Sequence, residues 1–377
     1  GNFSRVLLIT GGLGPTEDDR TAEAVAHAAG VELTLWQEAL MAMRERAARG
    51  GWVLTPNNEK QAYLPAGSRL LANAQGTAPG FVLQVGPCLV AAMPGVPREM
   101  KAMFDAEVAP LLAAAHDVRP ALTRTLNCFG AGESMLDHKL QGVLAAVDPG
   151  SCHASLHYRT SFPLNRVILV VQPAAHTAPG EAQQVLDALE AAARPLIEAH
   201  VFGVDEQSFS DAVVTALTDV GATVALAESC TGGLVAHLIT SAAGSSAVFQ
   251  MGVVAYHNEV KARVLGVSEE LLQAHGAVSQ PVVEAMALGI RQRAGATFGV
   301  GISGIAGPGG GTPDKPVGTV HFALASADGV EHLCRRFPFD RKRVKELAAH
   351  MALALVLRKL DKLQLPSQRS SSPKDTK

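Results

Sequence analysis

Short apolar runs alternate with alanine-rich helical stretches along almost the whole sequence, and this alternation limits the possible folds more than any other feature. It is typical of α/β units, in which a buried strand is followed by a helix that packs on the sheet. Residues 6–10 show the pattern, because an apolar run is stopped there by Gly11-Gly12. The 377 residues correspond to roughly two and a half domains at about 150 residues each. We therefore predict an α/β protein of several domains.

The composition narrows the classes of function. Hydrophobic residues make up 47% of the chain and charged residues 18%, which excludes an intrinsically disordered protein. A net charge of −3 and an aromatic content of 5% argue against direct nucleic-acid binding. No apolar run reaches the ~18 residues of a membrane span, so no membrane contact is expected. The cysteines are scattered and form no C-x-x-C pair, which indicates a reduced, cytoplasmic protein; they are Cys88, Cys128, Cys152, Cys230 and Cys334.

The pattern divides the chain into three blocks and a tail. The first block covers residues 1–117. The second block, 118–204, has the pattern of helices and strands that is typical of a small α+β module. The third block covers 205–366, and the polar residues 367–377 are expected to be disordered. In the third block we predict helices at 210–220, 232–241, 259–265, 281–294 and 341–363, and strands at 223–227, 247–256, 297–303 and 318–325.

The strongest local signal lies where a strand meets a helix in the third block, in the run Ala227-Glu228-Ser229-Cys230-Thr231-Gly232-Gly233. Ligands of α/β sheets bind beyond the carboxyl ends of strands, where helix N-termini present free N–H groups. Ser229 is placed to act as a nucleophile whose oxyanion those N–H groups hold. Two alternatives stay open: Ser229 or Thr231 simply caps the helix, and Cys230 is a rival nucleophile or a small buried hydrophobe.

The next strand of this block brings further polar groups to the same edge. Strand 247–256 ends at Tyr256, and Asn258 is expected to cap a short helix that carries Lys261. Where the two strands are neighbours, Ser229 and Lys261 converge, and a Ser–Lys pair supports acyl transfer. The pair needs a neutral lysine, and lowering its pKa from ~10.4 to near 7 costs about 4 kcal/mol. A solvated surface lysine is the alternative.

A glycine-rich segment follows the strand at 297–303. Residues 299–304 satisfy G-x-G-x-x-G, but they lie inside a predicted strand with no helix after them, so we reject a dinucleotide site. The loop at 304–313 allows a phosphate or a flat ring to approach the backbone closely, or is a flexible connector. A dense basic stretch follows later in this block. One of its residues can bind a phosphate, or the stretch is simply the solvated start of a helix. The residues are Arg335, Arg336, Arg341, Lys342 and Arg343.

The first block contains a similar glycine turn, Gly11-Gly12-Leu13-Gly14-Pro15-Thr16-Glu17-Asp18-Asp19. Thr16 and the acids after it are predicted to begin a helix that runs to about residue 29. Asp18 and Asp19 can hold a divalent cation, or they complement the helix dipole. His153 and His157, four apart on a predicted strand in the second block, are too widely spaced for a metal pair.

Taken together, these motifs resemble the CinA family. The third block resembles the CinA C-terminal domain in the Ser229 run, Tyr256, Lys261, Gly276-Ala277-Val278-Ser279 and Gly301-Ile302-Ser303-Gly304-Ile305-Ala306-Gly307-Pro308. The first block is similar to the CinA N-terminal domain, which has a molybdopterin-binding fold, in Ile9-Thr10-Gly11-Gly12-Leu13-Gly14-Pro15-Thr16 and Met93-Pro94-Gly95-Val96-Pro97. The second resembles the family's KH-type α+β domain, mainly in Phe129-Gly130-Ala131-Gly132-Glu133-Ser134.

The resemblance implies an activity and a set of site residues. The CinA C-terminal domain is a nicotinamide-nucleotide amidase, which converts nicotinamide mononucleotide to nicotinic acid mononucleotide and ammonia, and this step needs no metal or organic cofactor. Ser229 matches its nucleophile, Lys261 its basic partner and Tyr256 the hydroxyl residue beside them. The substrate is expected to contact Cys230, Thr231, Gly232, Gly233, Gly304, Ala306, Gly307 and Arg341.

Two other functions follow from the same resemblance. The CinA N-terminal domain is associated with metal-dependent ADP-ribose pyrophosphatase activity, for which Asp18 and Asp19 are the expected metal ligands. The family has a further strand and helix ahead of the Gly11-Gly12 turn, so we expect the first domain to be incomplete at its start. The family's competence-associated name makes a non-catalytic partner in DNA uptake or repair the other alternative. A cytoplasmic homodimer is expected.

Overall fold

A computed structural model describes residues 5–116 and 119–360. The chain forms two compact units, Gly1–Pro120 and Ala121–Lys377. The tail at 367–377, for which disorder was expected, lies outside the described residues. Within the described ranges, no helix combines the length and the apolar character that crossing a membrane requires.

The first unit is built on a mixed sheet with strand order β1-β6-β5-β4, in which β1 and β6 are parallel and the other pairs antiparallel. A separate antiparallel pair is formed by β2 and β3. The strands are β1 (Val6–Thr10), β2 (Leu33–Leu35), β3 (Tyr63–Pro65), β4 (Arg69–Leu71), β5 (Gly80–Val85) and β6 (Cys88–Met93). The helices are α1 (Thr21–Ala29), α2 (Gln37–Gly50), α3 (Pro56–Glu59), α4 (Pro97–Met103) and α5 (Ala109–His116), with a π-helical segment, Phe104–Val108, between the last two.

The first helix begins later than the sequence predicts. The carboxylate of Asp19 accepts hydrogen bonds from the amide and the hydroxyl of Thr16. The Asp19 amide in turn donates to the Thr16 carbonyl at 3.2 Å, so these residues close a turn of their own. The prediction of a helix start at Thr16 is therefore wrong, and α1 begins at Thr21, whose amide donates to the Gly12 carbonyl at 3.0 Å.

The second unit begins with an antiparallel sheet of strand order β10-β7-β9-β8. Its elements are β7 (Leu122–Phe129), α6 (Glu133–Leu140), β8 (Cys152–Ser161), β9 (Leu164–Pro173), α7 (Glu181–Ile197) and β10 (Val201–Val204). Helix α7 buries an apolar stripe against the sheet, including Val185, Leu186 and Leu189. Residues 121–204 thus form an α+β module with its own core.

The remainder of the second unit is a three-layer α/β arrangement. Its sheet has the order β12-β11-β13-β14-β15, with β12, β11 and β13 parallel and the last two strands antiparallel. The strands are β11 (Val224–Glu228), β12 (Phe249–Val254), β13 (Phe298–Gly304), β14 (Thr319–Ser326) and β15 (Gly329–Arg336). The helices are α8 (Phe209–Asp219), α9 (Leu234–Thr240), α10 (Asn258–Leu265), α11 (Glu269–His275), α12 (Gln280–Ala294) and α13 (Arg341–Lys359).

Alternate residues of the central strands supply the two cores of this arrangement. Val224 and Leu226 of β11 face the layer of α8, α9 and α13, whereas Ala225 and Ala227 face α10 and α12. Strand β11 is buried along its whole length because helices cover both faces. This confirms the predicted α/β fold class, and it places the carboxyl end of β11 at the centre of one sheet edge.

The glycines of the rejected G-x-G-x-x-G run have a packing role. An added Cβ at Gly301 would lie 2.5 Å from the Val283 carbonyl of α12, and one at Gly299 would collide with the Ala287 carbonyl. Helix α12 therefore approaches β13 more closely than any side chain would allow. These glycines serve helix–strand packing, as expected for a run that lies inside a strand.

Replacing Gly301 with alanine is expected to lower the free energy of unfolding by about 3 kcal/mol, because the clash is with backbone that cannot move aside. Gly309→Ala is the matched control, since an added Cβ there meets nothing within 4 Å. Chemical denaturation of the two variants and the wild type measures the difference. Equal stability of the two variants would show that α12 relaxes away from β13 at negligible cost.

Candidate active site

The carboxyl ends of three parallel strands bring the predicted site residues of the second unit to one edge of the sheet. Glu228, the last residue of β11, pairs with Val254 of β12 on one side and with Ile302 of β13 on the other. The pairing continues past the strand ends, since the Ser229 amide donates to the Ile302 carbonyl at 3.0 Å and the Ala255 amide to the Glu228 carbonyl at 2.7 Å. The segments that carry Ser229, Tyr256 and the glycine-rich loop therefore begin side by side.

Ser229 lies in a turn between β11 and α9 and is largely buried. Gly232 and Gly233, with φ of 63° and 93°, follow it in the left-handed region, which glycine adopts without the steric penalty of a side chain. Because these two residues cannot belong to the helix, α9 begins at Leu234 rather than at the predicted residue 232. Cys230 is buried among apolar residues, and burial raises the pKa of its thiol to about 12.

The side chain of Glu228 occupies the N-terminal end of α9. One carboxylate oxygen accepts from the amides of Gly233 at 2.9 Å and Val235 at 3.1 Å, and the other accepts from the Ala236 amide at 2.8 Å. This carboxylate is 1% exposed and neutralises the helix end. The prediction that the first amides of this helix hold an oxyanion is therefore wrong for these three, because Glu228 already accepts from them.

Glu228→Gln is expected to lower the free energy of unfolding by about 2 kcal/mol, because three amides lose a charged acceptor and one must face an NH2 group. Glu259→Gln is the matched control, since Glu259 is exposed and its ion pair with Arg263, at 3.5 Å, lies in solvent. Urea midpoints of the two variants test this. A Glu228 variant as stable as the Glu259 variant would contradict the capping role.

Lys261 is the most deeply buried cationic side chain of the site. It lies on α10 with 1% exposure, and its Nζ donates to the carbonyls of Ala255 at 2.8 Å and Tyr256 at 3.4 Å. No carboxylate in the described ranges forms an ion pair with it. Burial lowers the pKa of Lys261, and the neighbouring Cys230 thiol opposes this as a smaller effect. The lysine is thus held as a hydrogen-bond donor to neutral oxygens, in surroundings that favour the uncharged amine.

Tyr256 and Arg341 meet at the outer rim of the same edge. The Tyr256 side chain is 60% exposed, and its hydroxyl accepts from Nη2 of Arg341 at 3.0 Å. Nη1 of Arg341 donates to the Gly307 carbonyl at 2.8 Å, which ties α13 to the glycine-rich loop. Among the basic residues singled out from sequence, Arg341 is brought to this rim, whereas Arg335 and Arg336 belong to the edge strand β15.

His257, rather than the predicted Asn258, caps α10, because its side chain accepts from the Glu259 amide.

The glycine-rich loop is anchored at both ends. An added Cβ at Gly304 would lie 2.8 Å from a Val320 methyl group, so this position requires glycine. Ala306 is buried beneath the loop, and Gly307 has a φ of 84°. Ser303 donates to the Ala277 carbonyl at 2.7 Å, which places the Gly276-Ala277-Val278-Ser279 motif next to the carboxyl end of β13.

Sequence reasoning missed one cation of the site. The Nζ of Lys345 lies 3.6 Å from the position that a Cβ of Gly232 would occupy. Lys345 is four residues after Arg341 on α13, a spacing that puts two side chains on the same face of a helix. That spacing was the available signal, but nothing in the sequence shows that α13 packs against the Ser229 turn.

The candidate residues of the other regions do not form a comparable cluster. In the first unit, Asp19 is engaged by Thr16, whose hydrogen bonds lower the pKa of the carboxyl, while Asp18 is exposed. His153 and His157 lie on β8, and His157 contacts the Ser155 hydroxyl. Across residues 5–116 and 119–360, no three His, Cys, Asp or Glu side chains are placed to hold a metal ion.

Comparison with known proteins identifies the family of the chain. Residues 206–360 match the model of the CinA C-terminal domain, and residues 2–114 match that of a "Probable molybdopterin binding domain". A CinA-like protein of Anaeromyxobacter dehalogenans is 44% identical over 351 residues, which are 93% of this chain and 84% of that protein. The chain belongs to the CinA family. A CinA-like protein of Myxococcus xanthus is 40% identical over 93% of this chain and 83% of its own length.

A solved structure of a CinA relative covers only part of the chain. The competence/damage inducible protein CihA of Agrobacterium tumefaciens is 42% identical and spans 41% of this chain and 93% of its own, with a TM-score of 0.39. The CinA C-terminal match begins at residue 206 and includes Ser229, Tyr256, Lys261, Arg341 and Lys345. The candidate site therefore lies wholly within the CinA C-terminal domain.

Proposed function

We propose that this CinA protein is an amidase that hydrolyses nicotinamide mononucleotide to nicotinic acid mononucleotide and ammonia. The observation that carries the proposal is the environment of Lys261, which is wholly buried, unpaired with any carboxylate of the described residues and adjacent to the Ser229 turn. Burial lowers the pKa of this lysine and makes it a better proton acceptor than a solvated lysine, and a proton acceptor is what a serine nucleophile requires. Family membership and the residue matches at Ser229, Lys261 and Tyr256 support the same activity.

The proposed chemistry uses Ser229 as the nucleophile, Lys261 as the proton carrier and one water molecule. Ser229 Oγ attacks the carboxamide carbon, and the neutral amine of Lys261 takes the hydroxyl proton. The tetrahedral intermediate collapses as the Lys261 ammonium returns that proton to the departing nitrogen, so ammonia leaves and an ester to Ser229 remains. Water then attacks the ester with Lys261 again as the base, which releases the acid and restores both side chains.

The proton passes directly between Ser229 and Lys261 in this proposal. The Tyr256 carbonyl accepts from Lys261, whereas the Tyr256 hydroxyl accepts from Arg341 at the rim and is engaged there. The exposed ring of Tyr256 is instead available to the cationic pyridinium ring of the substrate, a cation–π contact. Arg341 stands beside it as a partner for the phosphate.

Cys230 is the rival nucleophile in the same turn, and its surroundings argue against that role. A thiol reacts as its thiolate, and burial raises the pKa of Cys230 to about 12. Near neutral pH its thiolate is therefore a negligible fraction of the population. Ser229, whose alkoxide is never required as a free species because the base acts during attack, is the better nucleophile here.

The test is an incubation of the full chain with nicotinamide mononucleotide, with ammonia and nicotinic acid mononucleotide both quantified. Equal molar amounts of the two products are expected. The reaction is also expected to continue in EDTA, because an amide needs only a nucleophile and a proton carrier at this site. Consumption of the substrate with nicotinamide as the product would instead show cleavage of the glycosidic bond and refute the amidase proposal.

A further inference from the structure

The turn between β8 and β9 carries an aromatic side chain that touches the start of α13. This residue is Phe162, which belongs to the α+β module of residues 121–204. Its ring packs edge-to-face on Phe339, with 5.4 Å between the ring centroids and an interplanar angle of 72°. The guanidinium carbon of Arg343 lies over the Phe162 ring, 5.3 Å from the centroid. The module therefore contacts the α/β arrangement where α13 begins.

The two contact residues of Phe162 lie on either side of Arg341 in the sequence. Phe339 comes two residues before it and Arg343 two residues after it. Arg341 is the first residue of α13, and the first turn of a helix frays because its amides lack intrahelical partners. The guanidinium of Arg341 joins the glycine-rich loop to the Tyr256 hydroxyl by two hydrogen bonds. The geometry of the rim thus depends on a helix start that the Phe162 ring contacts from outside.

The cap of α13 takes part in the same contact. One carboxylate oxygen of Asp340 accepts from the Arg343 amide at 3.0 Å, and the other lies 3.9 Å from Nε of Arg343. The guanidinium that covers the Phe162 ring therefore also pairs with the residue that caps the helix. Because Arg341 lies between Asp340 and Arg343, a ring that holds Arg343 in place also restricts the motion of Arg341.

A second set of contacts joins the module to the middle of α13. The ring centroid of Phe129, at the end of β7, lies 5.3 Å from that of Phe209 on α8 and 6.2 Å from that of His350 on α13. Phe202 of β10 packs edge-on against Phe209 at 4.8 Å. Leu164, at the start of β9, packs against the same apolar core of the α/β arrangement. Because the module contacts α13 at two places, the turn between β8 and β9 is held against the helix start.

We propose that Phe162 is a positioning residue of the amidase, acting through Arg341. This inference rests on the proposed function and brings a second module into it, since Phe162 lies outside the residues 206–360 that match the CinA C-terminal domain. The ring holds the start of α13 so that Arg341 is already in place when the substrate arrives. Loss of the ring therefore weakens substrate binding and leaves the chemistry at Ser229 and Lys261 unchanged.

The experiment compares the full-length wild type with Phe162→Ala, which removes the ring, and with Phe162→Tyr, which keeps it. Leu196→Ala is the matched control, because Leu196 is an exposed apolar residue on α7 of the same module. In the Phe162→Ala variant we expect the KM for nicotinamide mononucleotide to rise by about 5-fold, since an aromatic pair and a cation–π contact are lost. The kcat is expected to stay within about 2-fold of the wild type, because the interaction serves binding and not the chemical step. Phe162→Tyr and Leu196→Ala are expected to keep the wild-type KM.

A double-mutant cycle shows whether the ring acts through Arg341. Arg341→Met by itself is expected to raise KM, and Phe162→Ala added to it is expected to raise KM no further, because the side chain that the ring positions is gone. An equal factor from Phe162→Ala in both backgrounds would show that the ring supports the fold in general, and this would overturn the inference.

Other results also count against the positioning role. A wild-type KM in Phe162→Ala, or a fall in kcat at unchanged KM, would overturn it. Thermal melting of each variant verifies that the fold is retained. Where Phe162→Ala does not fold, Phe162→Leu replaces it, and a rise in KM is again expected because leucine fills space without an aromatic face for Arg343. A wild-type KM in Phe162→Leu would then refute the proposal.

The inference and the proposed function fail in distinguishable ways. A wild type that releases no ammonia from nicotinamide mononucleotide refutes the proposed function. Amide hydrogen exchange measured by NMR still tests the role of Phe162, because the Arg343 and Val344 amides both donate to Asp340 at the start of α13. In Phe162→Ala these two amides are expected to exchange at least about 5-fold faster than in the wild type, while those in the middle of the helix keep their rates. Equal exchange of the two amides in both proteins would refute the inference.

Discussion

Replacing Ser229 with alanine is expected to lower kcat for ammonia release from nicotinamide mononucleotide by roughly 10⁴-fold or more, since removal of a nucleophile abolishes the covalent route. The fold is expected to remain intact, because the change removes one oxygen atom and leaves the amide of residue 229 bonded to the Ile302 carbonyl. Substrate affinity is expected to change little, and steady-state kinetics with a binding measurement by calorimetry separates the two effects.

Cys230→Ala is the control for the Ser229 variant, since it removes the rival nucleophile from the same turn. Most of the wild-type kcat is expected to survive, because burial raises the pKa of Cys230 to about 12 and keeps the thiol protonated. The small cavity left in the apolar surroundings is expected to lower stability by about 1 kcal/mol. Activity that survives Ser229→Ala and disappears in Cys230→Ala would reverse the assignment of the nucleophile.

Lys261→Met is expected to lose activity and to remove the pH-dependent penalty that the lysine places on stability. Ammonia release is expected to fall by roughly 10³-fold or more, because the proton of Ser229 loses its acceptor. Burial lowers the pKa of Lys261 in the folded protein relative to the unfolded chain. The pKa of this lysine in the unfolded chain is 10.5. Below that pH the lysine binds a proton more readily in the unfolded chain than in the folded protein, and this lowers the free energy of unfolding. Methionine removes that penalty.

The pH dependence of both stability and activity follows from the lowered pKa of Lys261. As pH falls from 10.5 toward the lowered folded-state pKa, the wild type is expected to lose stability relative to Lys261→Met, and below that pKa the difference stays constant. Activity is expected to rise with pH through the folded-state pKa and then to level off, because the neutral amine is the active form. Urea midpoints and kcat/KM across the pH range measure both. A stability difference between the wild type and Lys261→Met that does not change as pH falls from 10.5 would contradict the lowered pKa.

The site could be predicted from sequence as far as strand ends determine it. Ser229 and Tyr256 follow apolar runs, and carboxyl ends of parallel strands meet at one edge of a sheet, so the pattern predicts their proximity provided that the two strands are neighbours, as β11 and β12 are. Lys261 was placed beside them because a short helix follows Tyr256, and the structure brings it there. The fold class was predictable for the same reason, since alternating apolar runs and helical stretches leave few other arrangements.

The parts that were missed depend on contacts distant in sequence. Strand β15 escaped detection because, as an edge strand, it carries His332, Cys334 and the arginines that follow in place of an apolar run. The amides of α9 were predicted to hold an oxyanion, but tertiary packing buries the Glu228 carboxylate against that helix end, where it accepts from them. Lys345 joins the site only because α13 packs beside α9, which no local pattern specifies.

The most direct test of this account measures ammonia release from nicotinamide mononucleotide by the wild type and by Ser229→Ala at equal concentration and neutral pH. The account predicts steady release by the wild type, one ammonia for each nicotinic acid mononucleotide formed, and a rate at the level of the buffer blank for Ser229→Ala. Equal rates for the two proteins, or a wild-type rate no higher than the blank, would contradict it.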